Sequence, residues 1–277
     1  MAISIHNNSA SLVTQGHLNR SQKGLNKNLA RLSSGMRING AGDDGAGLAI
    51  SKEMKTDMKS LAQAKRNANN GISVLQTADG AMEQQTTILT RMRELGVQAN
   101  DGTLSGSQRD NLNEEFTQLQ TEFDRIADNT EYNGNKLLDG TIAAGSGLEI
   151  QIGIDATDLA TVEVEDMTGA TLGVDSGTID LADGSDPATA LDAIDLALET
   201  VNGQRAKIGA QLNGMDAAIE NLSTSYENVS AAHGRIVDVD IASEMADFTK
   251  NQVLMQAGSS MLAQANSQPQ SALSLLG

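Results

Sequence analysis

The chain has 277 residues, with 36 Asp and Glu against 19 Lys and Arg and a formal net charge of −17. That balance argues against a body that binds nucleic acid, since phosphate contacts need clustered cations. With five aromatics, no cysteine and no apolar run near the ~18 residues of a membrane span, a core must come from thin helical layers of Leu, Ile, Val, Met and Ala, without disulfides or a bilayer anchor.

The charge is unevenly spread. Met1 to Gly42 has no acid but carries Arg20, Lys23, Lys27, Arg31 and Arg37. From Phe248 to Gly277 the only charged side chain is Lys250. Asp43 to Asp247 holds all 36 acids and a formal −23. The N-terminus lacks the basic region and unbroken apolar core of a signal peptide, so export would need another route.

Residues 3–34 carry Ile3, Ile5, Leu12, Val13, Leu18, Leu25, Leu29 and Leu32, which predicts a helix with one apolar stripe ending at Gly35. Gly40 to Gly47 reads as a flexible connector. A long helix is expected over 48–99. Its seam of Met54, Met58, Leu61, Lys65, Ala68, Ile72, Leu75, Asp79, Met82, Thr86 and Leu89 is spaced by fours and threes. Asn100-Asp-Gly102 breaks it. Ser105 with Gln108 opens the next helix as a capping box, with Leu112, Phe116, Leu119, Phe123 and Ile126 on one face. Asn133-Gly134 and Asp139-Gly140 are turn signals.

The period then changes. Leu148, Ile150, Ile152 and Ile154 alternate with other residues, as do Val162 and Val164, which predicts a small β-hairpin. Residues 166–186 read as irregular. Asp186-Pro187 starts a helix, and Leu191, Ile194, Leu198, Val201, Arg205, Ile208, Leu212, Met215, Ile219, Leu222, Tyr226 and Val229 continue it without a slip. A break at His233-Gly234 precedes a last helix with Ile241, Met245, Phe248, Met255 and Leu262 on one stripe, which Pro269 bends or ends.

These elements predict a mainly α fold: a long antiparallel helical rod with terminal coiled-coil helices and a small β-hairpin in the middle of the chain, at the far tip of the rod. The expected domains are 1–44 with 236–277 (terminal coiled coil), 45–139 with 187–235 (helical rod), and 140–186 (β-hairpin and irregular outer part, no large outer domain). The terminal stripes, Leu18, Leu25, Leu29, Leu32, Phe248, Met255 and Leu262, have only each other inside one chain. Half their surface stays wet unless other copies cover it, which makes them the expected polymerisation interface. In an antiparallel rod Asp79 and Arg205 come within about a turn of each other and are expected to form a buried polar pair that helps set register.

Catalytic signals are weak. Gly40-Ala-Gly42-Asp-Asp-Gly45 matches a dinucleotide-binding string, but a helix precedes it and two acids would repel phosphate. His6, His17 and His233 are scattered and form no zinc motif. Asp180, Asp183 and Asp186 lack the Gly and closing Glu of a calcium loop and read as a solvated turn. No GxSxG elbow occurs. No enzyme activity, cofactor, metal, nucleic acid or membrane is expected.

The segments Leu25 to Asn39, Asp43 to Ser51, Asn69 to Gly80, Arg91 to Gln98 and Tyr132 to Leu138 resemble the N-terminal region of bacterial flagellin. Gln256 to Pro269 and Leu273 to Leu276 are similar to its C-terminal region. The resemblance spans roughly residues 1–140 and 187–277. It implies a subunit of the extracellular flagellar filament, exported unfolded through the flagellar secretion channel. The end helices would form an inner tube, and the rod helices a layer around it. Implied partners are other copies, an export chaperone at the C-terminal helix, and the filament cap and hook–filament junction proteins. It also implies sensing by a Toll-like innate receptor of animals through Arg91, Arg93, Glu94, Leu95 and Glu115, with Thr90 standing where the family commonly has Gln. The alternatives are a hook–filament junction protein and, from another class, a cytoplasmic helical adaptor rod.

Overall fold

The computed structural model describes residues 7–182 and 186–274, and side chains up to residue 268. Ile3, Ile5, His6 and Asp183 lie outside the described residues. The chain divides into two compact units, one from Met1–Met58 with Asn228–Gly277 and the other from Lys59–Glu227.

The first unit is built on α1 (Ser9–Ser34) and the last helix of the chain, Ile241–Ser274. Asn8 caps α1 by accepting the Ser11 N–H at 3.1 Å, and Gly35 ends it at φ 70, a left-handed conformation that costs glycine nothing. The two helices run antiparallel. Asn8 Nδ2 donates to the Ala265 carbonyl at 2.8 Å near one end, and Arg31 Nη1 meets Glu244 Oε2 at 3.5 Å near the other. On the last helix Glu244, Phe248, Asn251, Met255, Gly258, Leu262 and Ala265 are shielded at heptad spacing, as are Ser11, Thr14, Leu18, Ser21, Leu25, Asn28 and Leu32 on α1. From Thr14 on α1 and throughout α6, the seam alternates a large apolar layer with a small or polar one. A Cβ on Gly258 would sit 3.1 Å from Leu18 Cδ1, so this glycine lets the helices approach. The buried Asn28 amide, oriented so that its nitrogen donates to the Gly24 carbonyl (2.7 Å), accepts the Phe248 N–H at 2.9 Å.

The connector after α1 is pinned, not free as the glycine content suggests. Arg37 N–H donates to the Val237 carbonyl at 2.6 Å and Val239 N–H to the Gly35 carbonyl at 3.1 Å. Ile38 and Val237 are both buried. Asp43 meets Lys27 Nζ at 2.8 Å, and Asp44 accepts the Gly47 N–H at 2.9 Å.

The second unit holds most of α2 (Gly45–Ala99), all of α3 (Gly106–Asn129), and most of the helix Pro187–Val237. Lys65 Nζ donates to Ser223 Oγ (2.9 Å) and Arg93 Nε to Asp195 Oδ1 (2.6 Å), so α2 and Pro187–Val237 are antiparallel. Gln108 accepts the Ser105 N–H at 2.9 Å in the capping box that opens α3. Fully buried Phe116 and Phe123 anchor this helix, with Gln120 and Ala127 beside them. The buried stripe is thus rotated slightly from the five apolar positions read in the sequence.

Between α3 and Pro187–Val237 come two hairpins and a short helix. β1 (Glu131–Tyr132) pairs with β2 (Asn135–Lys136) around Asn133 at φ 53 and Gly134 at φ 83, the mirror-image turn that Asn-Gly favours. β3 (Leu148–Gln151) pairs with β4 (Leu159–Val162), Leu148 opposite Val162. α4 (Gly169–Leu172) follows, capped by Thr168, so the stretch expected to be irregular contains one helical turn. We number the remaining helices α5 (Pro187–Val237) and α6 (Ile241–Ser274).

The β segment is not at the tip of the helices. It lies along their side. Asn67 Nδ2 donates to Gln151 O (3.1 Å), Gln85 Nε2 to Met167 O (3.0 Å), and Gln211 Nε2 to Glu163 O (3.2 Å). Gln120 Nε2 reaches both Val174 O and Ile179 O at 3.0 Å. Val162, Val164, Met167, Val174 and Leu181 are buried in the same core as Leu75, Leu89 and Ile194. Two-stranded ribbons have no core of their own, so this segment takes one from the helices. Two boundaries also differ from the sequence reading. His233-Gly234 does not break α5, which runs to Val237, because one interior glycine costs a helix only about 1 kcal/mol. α6 continues through Pro269 to Ser274.

Candidate assembly surface and charge clusters

The residues expected to form a polymerisation interface fall into two groups. Leu18, Leu25, Leu32, Phe248, Met255 and Leu262 lie half-buried on the α1–α6 seam. Leu29 alone points outward, 57% exposed. Most of the apolar stripe is therefore used within the chain. What remains open is Leu12, Val13 and Leu29 on α1, and Ile241, Met245, Val253, Leu254 and Met261 on α6. Val253, Leu254 and Met261 escape a single-stripe reading because they lie off the stripe. The signal that could have found them is the lack of any acid after Asp247. α6 carries exposed apolar side chains on its outer sides as well as half-buried ones on its seam.

Four charged side chains of this unit, Lys27, Arg31, Asp43 and Glu244, come together beside the connector. The Lys27 ammonium, hydrogen-bonded to Asp43, holds that carboxyl below the usual carboxylate range, helped by the Asn39 N–H. Arg31 lies 3.9 Å from Asp43 and 3.5 Å from Glu244. One flank of the helix pair carries a groove bordered by Leu18, Gln22, Gln252 and Met255.

On the second unit, Arg91 Nη1 meets Glu94 at 2.9 Å and Arg91 Nη2 meets Glu115 of α3 at 2.8 Å. The hydrogen bonds to Glu115 and then Glu94 raise the already high Arg91 pKa. Arg93 turns the other way, to Asp195 of α5 at 2.6 Å, which raises its pKa in turn. All five charged groups are exposed. Leu95 is placed differently from the expectation. It is 1% exposed, inside the core, so its side chain presents nothing to a partner. The resemblance implied it as part of a receptor-facing set, but packing in the helical core covers it.

Arg205 Nε lies 2.7 Å from Asp79 Oδ1, and Arg205 Nη2 lies 3.8 Å from Glu83. The pair links α2 and α5 but is not buried: the side chains keep 29% and 36% exposure. The Asp79 hydrogen bond raises the Arg205 pKa. Among the described residues no three His, Asp or Glu side chains are grouped to hold a metal ion, and no helix is long and apolar enough to cross a membrane.

Comparison with known proteins agrees with this architecture. Residues 5–143 match the family model of the bacterial flagellin N-terminal helical region, and residues 191–276 match that of the C-terminal helical region. The chain is 42% identical to flagellin of Bacillus subtilis (strain 168), over 98% of this chain and 99% of that protein. It is 38% identical to the flagellar filament 33 kDa core protein of Treponema phagedenis at the same coverages. The crystal structure of Bacillus cereus flagellin matches with a TM-score of 0.50 at 36% identity, covering 61% of this chain and 94% of that one. A full-length match of this kind, at both helical ends and with a mainly α fold, places the chain in the bacterial flagellin family.

Proposed function

We infer that the chain is a structural subunit that polymerises into the bacterial flagellar filament, with no enzymatic role. The observation that carries this reading is the outer surface of α6, where Val253, Leu254 and Met261 stand exposed on a helix whose seam is already paired with α1. An isolated chain gains nothing from that surface, and a neighbouring copy covers it. In this reading residues 1–44 and 236–277 form the inner tube. Residues 45–139 and 187–235 form the layer around it, with 140–186 on the outside. The flagellin match through residues 191–276 supports a filament subunit over a hook–filament junction protein.

The finer parts of the reading follow from family membership. Export proceeds unfolded through the flagellar secretion channel. A chaperone covers the α6 surface before export, and cap and junction proteins contact the subunit at the filament ends. The charged side chains Arg91, Glu94 and Glu115 on the α3 flank of α2, and Arg93 on its α5 flank, are offered to an animal Toll-like receptor, with Leu95 supporting them from the core.

The test is polymerisation of Leu254→Asp and Met261→Asp chains, watched by negative-stain microscopy. Burying an unpaired carboxylate between copies costs several kcal/mol, so both variants should stay monomeric with unchanged circular dichroism. Normal filaments from both would rule out α6 as the assembly surface.

A further inference from the structure

The β3–β4 hairpin and the strap after it cover only one side of the α2–α5 pair. Asn67, Gly71 and Val74 of α2, with Gln204 and Gln211 of α5, face that covered side. At about 100° per residue, Ala62, Lys65, Arg66 and Asn69 lie on the far side of α2 from Asn67 and Val74, and Glu227 lies on the far side of α5 from Gln204 and Gln211, with Ser223 and Tyr226 between. These residues border a groove. Its floor is Leu61, Ala62 and Leu222, its wall is Tyr226, and its rim carries Lys65 and Arg66.

The groove stands out in charge. Lys65 bonds Ser223 and Arg66 bonds Gln63, so neither cation has a carboxylate partner among the described residues. Glu227 is the one acid in its lining, which leaves the rim net positive on a chain of net charge −17.

The tip of the β3–β4 hairpin has the complementary make-up. Ile154 and Leu159 are 47% and 41% exposed, and Asp155 and Asp158 stand between them without a cationic partner among the described residues. The tip is held in shape: Ile152 N–H donates to Asp158 O at 2.9 Å, and Asp158 N–H to Asp155 O at 3.0 Å. On α2 the hairpin covers the face of Asn67, Gly71 and Val74, while Lys65 and Arg66 stand on the far face, so the tip does not lie in its own groove.

We propose that the hairpin tip of one copy docks in the Leu61–Tyr226 groove of the next, Ile154 and Leu159 entering the apolar floor and Asp155 and Asp158 meeting Lys65 and Arg66. A contact between two different patches of one surface is head-to-tail and repeats without closing, as a polymer needs. The proposal rests on the filament reading and names one of its lateral contacts.

The absence of native cysteine makes the test clean. Ala62→Cys chains are mixed with Ile154→Cys chains under polymerising conditions and oxidised. A disulfide-linked dimer holding one chain of each kind is expected. Filaments that form without that dimer, or that link only Ile154→Cys chains to each other, overturn the contact while leaving the filament reading intact. Failure of the unsubstituted chain to polymerise would instead remove the filament reading. A charge swap gives a second readout. K65E/R66E chains alone and D155K/D158K chains alone should each need about tenfold more protein to polymerise, and an equal mixture should recover, since tips and grooves then match in alternation. No recovery in the mixture overturns the proposal.

Discussion

Asp43 is the first acid in the sequence, and the structure gives it a place: it joins the connector to Lys27 and Arg31 of α1. Its folded pKa lies below the ordinary carboxylate value, so its contribution to stability is present above pH of about 4 and is lost as pH falls through the lower folded value. A carbon-13 titration of Asp43 should show a midpoint below the ordinary range, returning toward it in Lys27→Gln. An unchanged midpoint would mean that Lys27 is not the cause. Gln120 matters for a different reason. Its amide donates to Val174 O and Ile179 O inside the core. Gln120→Ala leaves both carbonyls without that donor and should cost about 3 kcal/mol in urea unfolding, against less than about 1 kcal/mol of coupling in a double-mutant cycle of the half-exposed Asp79 and Arg205. Spacing could bring Asp79 and Arg205 together, because both sit in long regular seams. It could not reveal the amide bonds of Gln120, because their acceptors lie 54 and 59 residues away in a segment with no period.

Among the elements, the two helix pairs differ in what they bury. The α2–α5 pair shares a core with α3 and the strap, where Leu75, Met82, Leu89 and Ile194 are fully covered. The α1–α6 seam interleaves its apolar layers with Thr14, Ser21, Asn251 and Gly258, and only Asn28 and Glu244 of its residues are buried. Local opening should therefore start in α1 and α6. Limited proteolysis of the monomer should cut within residues 9–34 and 241–268 before any cut in 60–99 or 190–226, and polymerisation should protect both regions. Equal protection of all four helices in a verified monomer would contradict this order. Helix starts and stops were largely legible, since Gly35, Asn100 to Gly102, Ser105 and Pro187 act through local backbone chemistry. Gly234 misled because a glycine without a left-handed conformation is no stop signal.

For the whole molecule the dominant constraint is charge. Copies that each carry −23 over residues 43–247 repel when packed side by side. Raising ionic strength from about 0.01 M to 0.15 M shortens the screening length from about 30 Å to about 8 Å. The protein concentration needed for polymerisation should fall severalfold over that range, as followed by light scattering. A rise would mean that attraction between opposite charges outweighs the repulsion of the bodies. The sequence by itself determined the mainly α class, the register of the long seams, the acid-free ends and the flagellin likeness, because periodicity, caps and charge are properties of local chain order. Only the tertiary structure decided that most of the terminal stripe is spent inside the chain, that Leu95 is buried, and that residues 137–182 lie along the helices instead of at their end. Those outcomes depend on which surfaces meet across separations of 41 to 257 residues, where no local pattern selects the partner.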